Sequence, residues 1–358
     1  AFLRSQFLEI EPGSKRPRPR AGEDHCPHTV IGIQRGHHLV ETIAQRFRQG
    51  IHRFGAVERD DGDAVGDLGQ DEVGHPASLA NKLHLAIFRP LPFTVRRARG
   101  DANMAFKPFD LTGKAAVVTG GNGGIGLGMA EGLAQAGADV CIWGTNPEKN
   151  AAAEKTLLAL GGKAVAMRCD VSQEEEVEAA FARTVEIFGK VDSCFANAGA
   201  GGGAPFQDFP TDVWRRVIGI NLDGTFFTFR AAAKHMINRG EGGRLIGTSS
   251  TSVIHGAARN EAYAASKGAM LAMTRGLAVE LARYGITANT IIPGWIETAM
   301  TAPRVGNELF EDRVMKRVPV RRWGQPSDFA GIAIYLASEA SSYQTGEEFV
   351  IDGGYTRF

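Results

Sequence analysis

From residue 115 onward, apolar residues follow two recurring patterns. One is a short unbroken run, as in Ala115-Ala116-Val117-Val118, which predicts a strand buried on both faces. The other is helical spacing, as in Leu127, Met129, Ala130, Leu133 and Ala134. The two alternate down the chain. The spacing predicts strands at 115–119, 139–144, 164–169, 191–196, 244–249, 286–292 and 347–351. It predicts helices at 124–136, 148–160, 173–188, 211–237, 262–283 and 326–337, with a further short one near 307–316. Such alternation is the mark of an α/β fold, a doubly wound seven-stranded parallel sheet with helices on both faces.

The first strand runs into TGGNGGIG, Thr119 to Gly126, and a helix follows at once. Glycine reaches backbone angles closed to other residues and lets a ligand come close to the main chain, which suits Gly120, Gly124 and Gly126. The free N–H groups and positive dipole end of the next helix would face a bound diphosphate. A lone GxGxxG carries little. Set between a strand and a helix, it reads as a dinucleotide site.

The carboxyl ends of the other strands carry the remaining candidates. After the second strand come Gly144, Thr145 and Asn146, where an acid would hold the ribose of NAD and a base the 2′-phosphate of NADP. This chain has neither. Gly144 removes a repulsion and the next two side chains offer neutral hydrogen bonds, so NADP or NAD is read, leaning to NADP. Asp170 and Val171 end the third strand, where the carboxylate contacts an adenine amine, caps the next helix, or does both. Asn197, Ala198 and Gly199 end the fourth, with Gly201-Gly202-Gly203 just beyond, small enough for a flat ligand to lie against the backbone.

Composition changes the picture mainly by exclusion. Formal net charge is zero and apolar content is 43%, so no nucleic-acid or anionic-membrane partner is indicated. Three of the four cysteines, Cys141, Cys169 and Cys194, fall in predicted strands without metal or CxxC spacing. No metal is expected, and a reducing cytoplasm is.

Residues 1–103 differ from the rest of the chain. All eight methionines lie at or after Met104, while seven of the nine histidines lie before it. Lys15 and Lys82 are the segment's only lysines, and the run 60–71 is acidic and Gly-rich. Periodicity is poor apart from a short helical pattern near Leu39 to Phe47. The reading is an N-terminal extension at 1–103, disordered or foreign to the native coding sequence, and one domain at 104–358.

The chemistry centres on YAASK. Tyr263 and Lys267 are four apart on a predicted helix and share a face. A free tyrosine, with a pKa of about 10, is a poor base near neutrality, and a nearby ammonium is expected to pull that value down. The pair can then exchange a proton with an alcohol or carbonyl oxygen. Ser250 ends the fifth strand thirteen residues earlier, and Asn221 sits inside the long helix 211–237, where it holds a water, breaks the helix, or is incidental.

Together, TGGNGGIG, Asn197-Ala198-Gly199, Asn221, Ser250 and YAASK resemble the short-chain dehydrogenase/reductase family. So do Pro293-Gly294 through Thr298 and Asp352-Gly353-Gly354. The resemblance spans 104–358. It implies a Rossmann fold, hydride transfer between a carbonyl or secondary alcohol and NADP or NAD, and a homotetramer built through the two long helices and the last strand. It implies Tyr263 as general acid/base and Lys267 as the group that lowers its pKa and holds the nicotinamide ribose. Ser250 would orient the reacting oxygen and Asn221 keep a relay water in place. It extends the cofactor contacts to Asn122, Ile125, Tyr263, Pro293, Gly294, Ile296 and Thr298. Two departures are Ala196, where the family more often has asparagine, and Gly123, where NADP-preferring members often carry a basic residue.

The loop 199–210 and the segment 295–318 are expected to form the substrate pocket. Phe206, Phe209, Trp295, Met300, Leu309, Phe310 and Met315 point to an apolar small molecule, as in members resembling 3-oxoacyl reductases and secondary-alcohol dehydrogenases. Arg304 and Arg313 leave room for an acidic group. A sugar or polyol dehydrogenase is the alternative. A cofactor-sensing regulator without catalysis would have no need of all four of Asn221, Ser250, Tyr263 and Lys267.

Overall fold

The computed structural model describes residues 107–357. The expectations for residues 1–103 lie outside the described residues. Seven strands form one parallel sheet: β1 Ala115–Thr119, β2 Asp139–Gly144, β3 Ala164–Arg168, β4 Ser193–Ala196, β5 Gly243–Thr248, β6 Ile286–Pro293 and β7 Glu348–Ile351. Their order is β3-β2-β1-β4-β5-β6-β7. The order reverses between β1 and β4, and the crevice beyond the carboxyl ends of those two strands is where open sheets of this kind take ligands.

The helices are α1 Gly124–Gln135, α2 Pro147–Leu158, α3 Glu174–Phe188, α4 Thr211–Ile218, α5 Gly224–Arg239, α6 Glu261–Leu281, α7 Glu308–Val314 and α8 Ala330–Ala337. The strand alternation sorts the core onto two faces. Ala116 and Val118 of β1 pack with Met129, Leu133, Leu157, Phe329 and Leu336. Val117 points the other way, towards Phe181, Phe229, Met236 and Leu281. Each of the larger side chains, fully buried, contributes about 1.5–3 kcal/mol. Cys141, Cys169 and Cys194 are free and buried on this second face.

The predicted strands and helices recur within a residue or two, with two exceptions. Helix 326–337 opens as a 3-10 turn, Pro326–Phe329, before α8. The predicted helix 211–237 is three pieces: α4, a π turn at Gly219–Asp223, and α5. Chain ends are set locally. Asn146 caps α2 by accepting from the Lys149 N–H at 2.8 Å, and Gly189 and Gly240 end α3 and α5 in left-handed conformation.

At the amino ends of β1 and β4, buried Asp192 accepts the Ala115 N–H at 2.8 Å and pairs with Arg239 at 3.2 Å. The Val191 N–H donates to His235 Nε2 at 3.2 Å. Among the described residues, no helix is long and apolar enough to cross a membrane, and no cluster of three or more His, Cys, Asp or Glu could hold a metal.

Candidate active site

The turns after β1 and β4 are stitched together at the crevice. Thr119 Oγ1 accepts from the N–H groups of Asn197 and Ala198, both at 3.0 Å. Asn197 Nδ2 donates back to the Thr119 carbonyl at 3.1 Å. Gly120 sits at φ +64°, and a Cβ on Gly126 would lie 2.3 Å from the Gly120 carbonyl oxygen. Only glycine fits this fold-back. Helix α1 begins at Gly124 with Gly123 as its cap and no side chain accepting its first amides. Those donors, at the positive end of a twelve-residue helix, fit a diphosphate. The side chain of Thr298 reaches the same loop, since a Cβ on Gly124 would lie 3.2 Å from Thr298 Cγ2.

At the ends of β2 and β3 the structure revises several readings. The side-chain oxygen of Asn146 is engaged in capping α2. Asp170 Oδ1 accepts from Ser172 N at 3.0 Å and Ser172 Oγ at 2.8 Å, but α3 starts only at Glu174 with Gln173 at its cap, so Asp170 closes the turn ahead of the helix. Val171 is buried against the start of α5. Thr145 is exposed. Gly144 has a reason beyond cofactor charge: a Cβ there would lie 2.1 Å from Asn122 Nδ2. Asn122 in turn donates to Asn150, a residue that periodicity and motif did not single out.

The proton-transfer candidates meet on one side of the crevice. Lys267 is 2% exposed, and its Nζ donates to the Thr248 carbonyl at 2.6 Å and lies 5.7 Å from the centre of the Tyr263 ring. Burial pushes the lysine down to about 8. Tyr263 moves opposite to the sequence expectation. Burial raises it above the usual phenol range, and a hydrogen bond with Ser250 works against that rise. The ammonium is turned towards Thr248, and desolvation of the phenol outweighs the hydrogen bond. Ser250 also accepts from Ser252 N at 3.2 Å, as a turn residue does.

Asn221 lies in the π turn and is fully buried. Its Oδ1 accepts from Ala200 N at 2.8 Å, and its Nδ2 donates to Ala200 O at 3.1 Å and Ser266 Oγ at 3.0 Å. Its main-chain carbonyl accepts from Thr225 Oγ1 at 2.8 Å. The residue therefore clamps the loop after β4 onto α6. Gly199 lies between the two groups: a Cβ there would be 3.3 Å from Asn221 Oδ1 and 3.4 Å from Lys267 Nζ.

The remaining expected cofactor contacts are spread along the same edge. Pro293 ends β6 buried, and Gly294 N donates to Ile351 O at 2.9 Å. The Ile296 side chain lies in the core and that of Ile125 packs against it. Among the aromatics named for the pocket, Trp295 and Phe310 meet edge to face at 4.9 Å, and Phe310 stacks on Trp323 at 5.7 Å. Tyr355 joins this cluster, with His255 at 5.4 Å and Arg317 over its ring at 4.7 Å. Periodicity gave no sign of Tyr355, Trp323 or His255. A cavity of about 270 Å³ lies beside the cluster, lined by Trp295, Val320, Arg322, Asp328 and Asp352, and neither Tyr263 nor Lys267 lines it.

Comparisons with known proteins bear on this arrangement. A family model described as enoyl-(acyl carrier protein) reductase matches residues 120–356. The chain is 36% identical to 2-dehydro-3-deoxy-D-gluconate 5-dehydrogenase of Escherichia coli over 70% of its length and 99% of that protein. It is 37% identical to 3-oxoacyl-[acyl-carrier-protein] reductase of Chlamydia pneumoniae over 69% of its length and 98% of that protein. Among solved structures, a gluconate 5-dehydrogenase of Burkholderia cenocepacia in complex with NADP and tartrate is 38% identical, with a TM-score of 0.67. It is matched by 70% of this chain and over 98% of its own. A short-chain type dehydrogenase/reductase of Mycobacterium marinum is 35% identical with the same TM-score, over 70% and 98% of the two chains.

Proposed function

The chain belongs to the short-chain dehydrogenase/reductase family of NAD(P)-dependent oxidoreductases, and from that premise we propose that it interconverts a secondary alcohol and a ketone on a sugar acid. The observation that carries the reading is that Tyr263 meets Ser250 and Lys267 while Lys267 and Asn221 flank Gly199, beside a glycine loop that fits a diphosphate. The sugar-acid class falls within the sugar or polyol alternative and is preferred here to the apolar ketone expected from the pocket aromatics. It is supported by relatives named for gluconate and its derivatives, and by Arg317 and His255 set among those aromatics at Tyr355. A second reading, reduction of a 3-oxoacyl thioester, is favoured by exposed Met300 and Leu309 and by the Chlamydia relative.

The glycine loop, Thr145, Asn197 to Gly199 and Thr298 would hold the cofactor, NADP or NAD, which when bound gives or takes the hydride. The protein's own residues handle the proton and the geometry. The Ser250 hydroxyl holds the substrate oxygen and fixes the angle of the Tyr263 phenol. In the reducing direction Tyr263 gives its proton to that oxygen, and in the oxidising direction it takes one. Lys267, charged below about pH 8, would hold the nicotinamide ribose. Asn221 keeps Ala200 and Ser266 in register around the reacting centre.

We place the enzyme in a reducing cytoplasm, as a homotetramer built through α5, α6 and β7. Exposed Phe226 on α5 and Val279 on α6 support that assembly. Light scattering checks it.

The test of function is a panel of sugar acids, polyols, 3-oxoacyl thioesters and apolar ketones with NADH and NADPH. Gluconate-type substrates are expected to lead. Tyr263→Phe should abolish turnover on the best substrate and leave cofactor Kd within about twofold, because the phenol acts on substrate. Turnover like wild type in that variant would remove Tyr263 from the reaction.

A further inference from the structure

Asn150 is a buried amide in the otherwise exposed first turn of α2. Its Nδ2 donates twice, to Gly144 O at 3.0 Å and to Met167 O at 3.1 Å. Both acceptors are main-chain carbonyls near the carboxyl ends of β2 and β3, and a carbonyl can only accept. The two bonds use both N–H groups and fix which way the amide faces. Its oxygen must turn to the other side, and there Asn122 Nδ2 donates at 2.6 Å. The direction of donation is passed on, so Asn122 also has one orientation. Its amide lies against the bare Cα of Gly144, where a Cβ would come within 2.1 Å of Nδ2 and 2.6 Å of Asn150 Oδ1.

This relay joins the glycine loop to the two strand ends that border the adenosine ribose in an open parallel sheet. We propose that Asn150 is a positioning residue for the adenosine end of the cofactor site. It acts through Asn122, holding that amide and its loop against the end of β2. The inference rests on the reading that the glycine loop binds a nicotinamide dinucleotide. Both amides are neutral, so the relay shapes the site without the charge that a carboxylate or guanidinium would bring there.

Binding of cofactor fragments to the full chain tests this without any turnover. The probes are 5′-AMP and 2′,5′-ADP for the adenosine end, and nicotinamide mononucleotide for the other. Asn150→Ala and Asn122→Ala are each expected to weaken both adenosine probes by about tenfold. The double variant should be no weaker than either alone, because one residue works through the other. Affinity for nicotinamide mononucleotide should stay within about twofold. A residue that merely braced the strand ends would lower the melting temperature and leave these affinities unchanged. That result overturns the proposal, and so do losses that add in the double variant. Should Asn150→Ala fail to fold, Gly144→Ala displaces the same amide. Its loss should then match that of Asn122→Ala and add nothing to it when the two are combined, and an undiminished affinity would overturn the proposal. A wild-type chain that binds neither adenosine probe would overturn the cofactor site itself, and this inference with it.

Discussion

Lys267 keeps an ammonium where almost no water reaches it, with the Thr248 carbonyl as its hydrogen-bond acceptor. Its depressed pKa, about 8, makes cofactor binding pH-dependent if the ammonium holds the ribose. Below that value the charge is present and binding is strong; as pH rises through it the free protein loses the charge. NADPH affinity followed by fluorescence from about pH 6.5 to 9.5 should fall through the upper half of that range. In Lys267→Met it should be weaker and flat. At this scale the sequence showed which residues share a face but not how much water each loses. The spacing of Tyr263 and Lys267 is legible, while the upward shift of Tyr263 depends on packing that no spacing encodes. Asn150 was illegible for a related reason. An asparagine among Glu148, Lys149 and exposed alanines reads as solvated surface until two strands are known to end beside it. Gly144 read as a charge decision, and the structure adds a steric one, so Gly144→Asp would disturb Asn122 as well as the ribose. Exposed Thr145 is the cleaner place to introduce an acid.

Among the elements, the break in helix 211–237 was only partly legible. A π turn inserts one residue without interrupting apolar content, so the pattern runs through it unchanged. Asn221 hinted at the break, and its three side-chain bonds to Ala200 and Ser266 give the reason for it. Helix α5 carries the half-buried His235, which accepts the Val191 N–H through Nε2 and must be neutral there. Burial lowers its pKa, Arg239 lowers it further, and Asp192 opposes both. Above the ordinary histidine value the ring is neutral folded or unfolded, and its contribution is complete. As pH falls below that value the unfolded chain takes up the proton first, and stability drops until the folded pKa is passed. The urea midpoint should therefore fall as pH drops below the ordinary histidine value, and His235→Gln, which keeps an acceptor, should reduce that slope. A slope unchanged in the variant would assign the acid sensitivity to other groups.

For the whole molecule, the alternation of strand and helix was enough to give a parallel sheet, but not its order. Which side of β1 each strand takes depends on the handedness of the crossovers, a rule of geometry that leaves no mark on apolar periodicity. Among the described residues the core packs on both faces of the sheet, and these relatives are matched over 98–99% of their own lengths by about 70% of this chain. A chain beginning at Met104 should therefore fold, with melting temperature and cofactor Kd close to those of the full chain. Loss of solubility or of cofactor binding on that truncation would make residues 1–103 an accessory domain.

The buried cysteines give the sheet a built-in clock. Burial pushes the thiols of Cys141 and Cys169 up to about 11 and 12, and Cys194 higher still. The thiolate is the form that alkylating reagents attack, so these side chains stay silent while the sheet is closed. Each modification then records one opening event, at a known strand and with no engineered probe. Peptide mass spectrometry after timed iodoacetamide exposure should find Cys169, beyond the edge strand β3, modified first. Cys141 and Cys194, on interior strands, should follow together at the rate of global unfolding. Earlier labelling of Cys194 would mean that the cofactor crevice opens on its own, independently of the rest of the sheet.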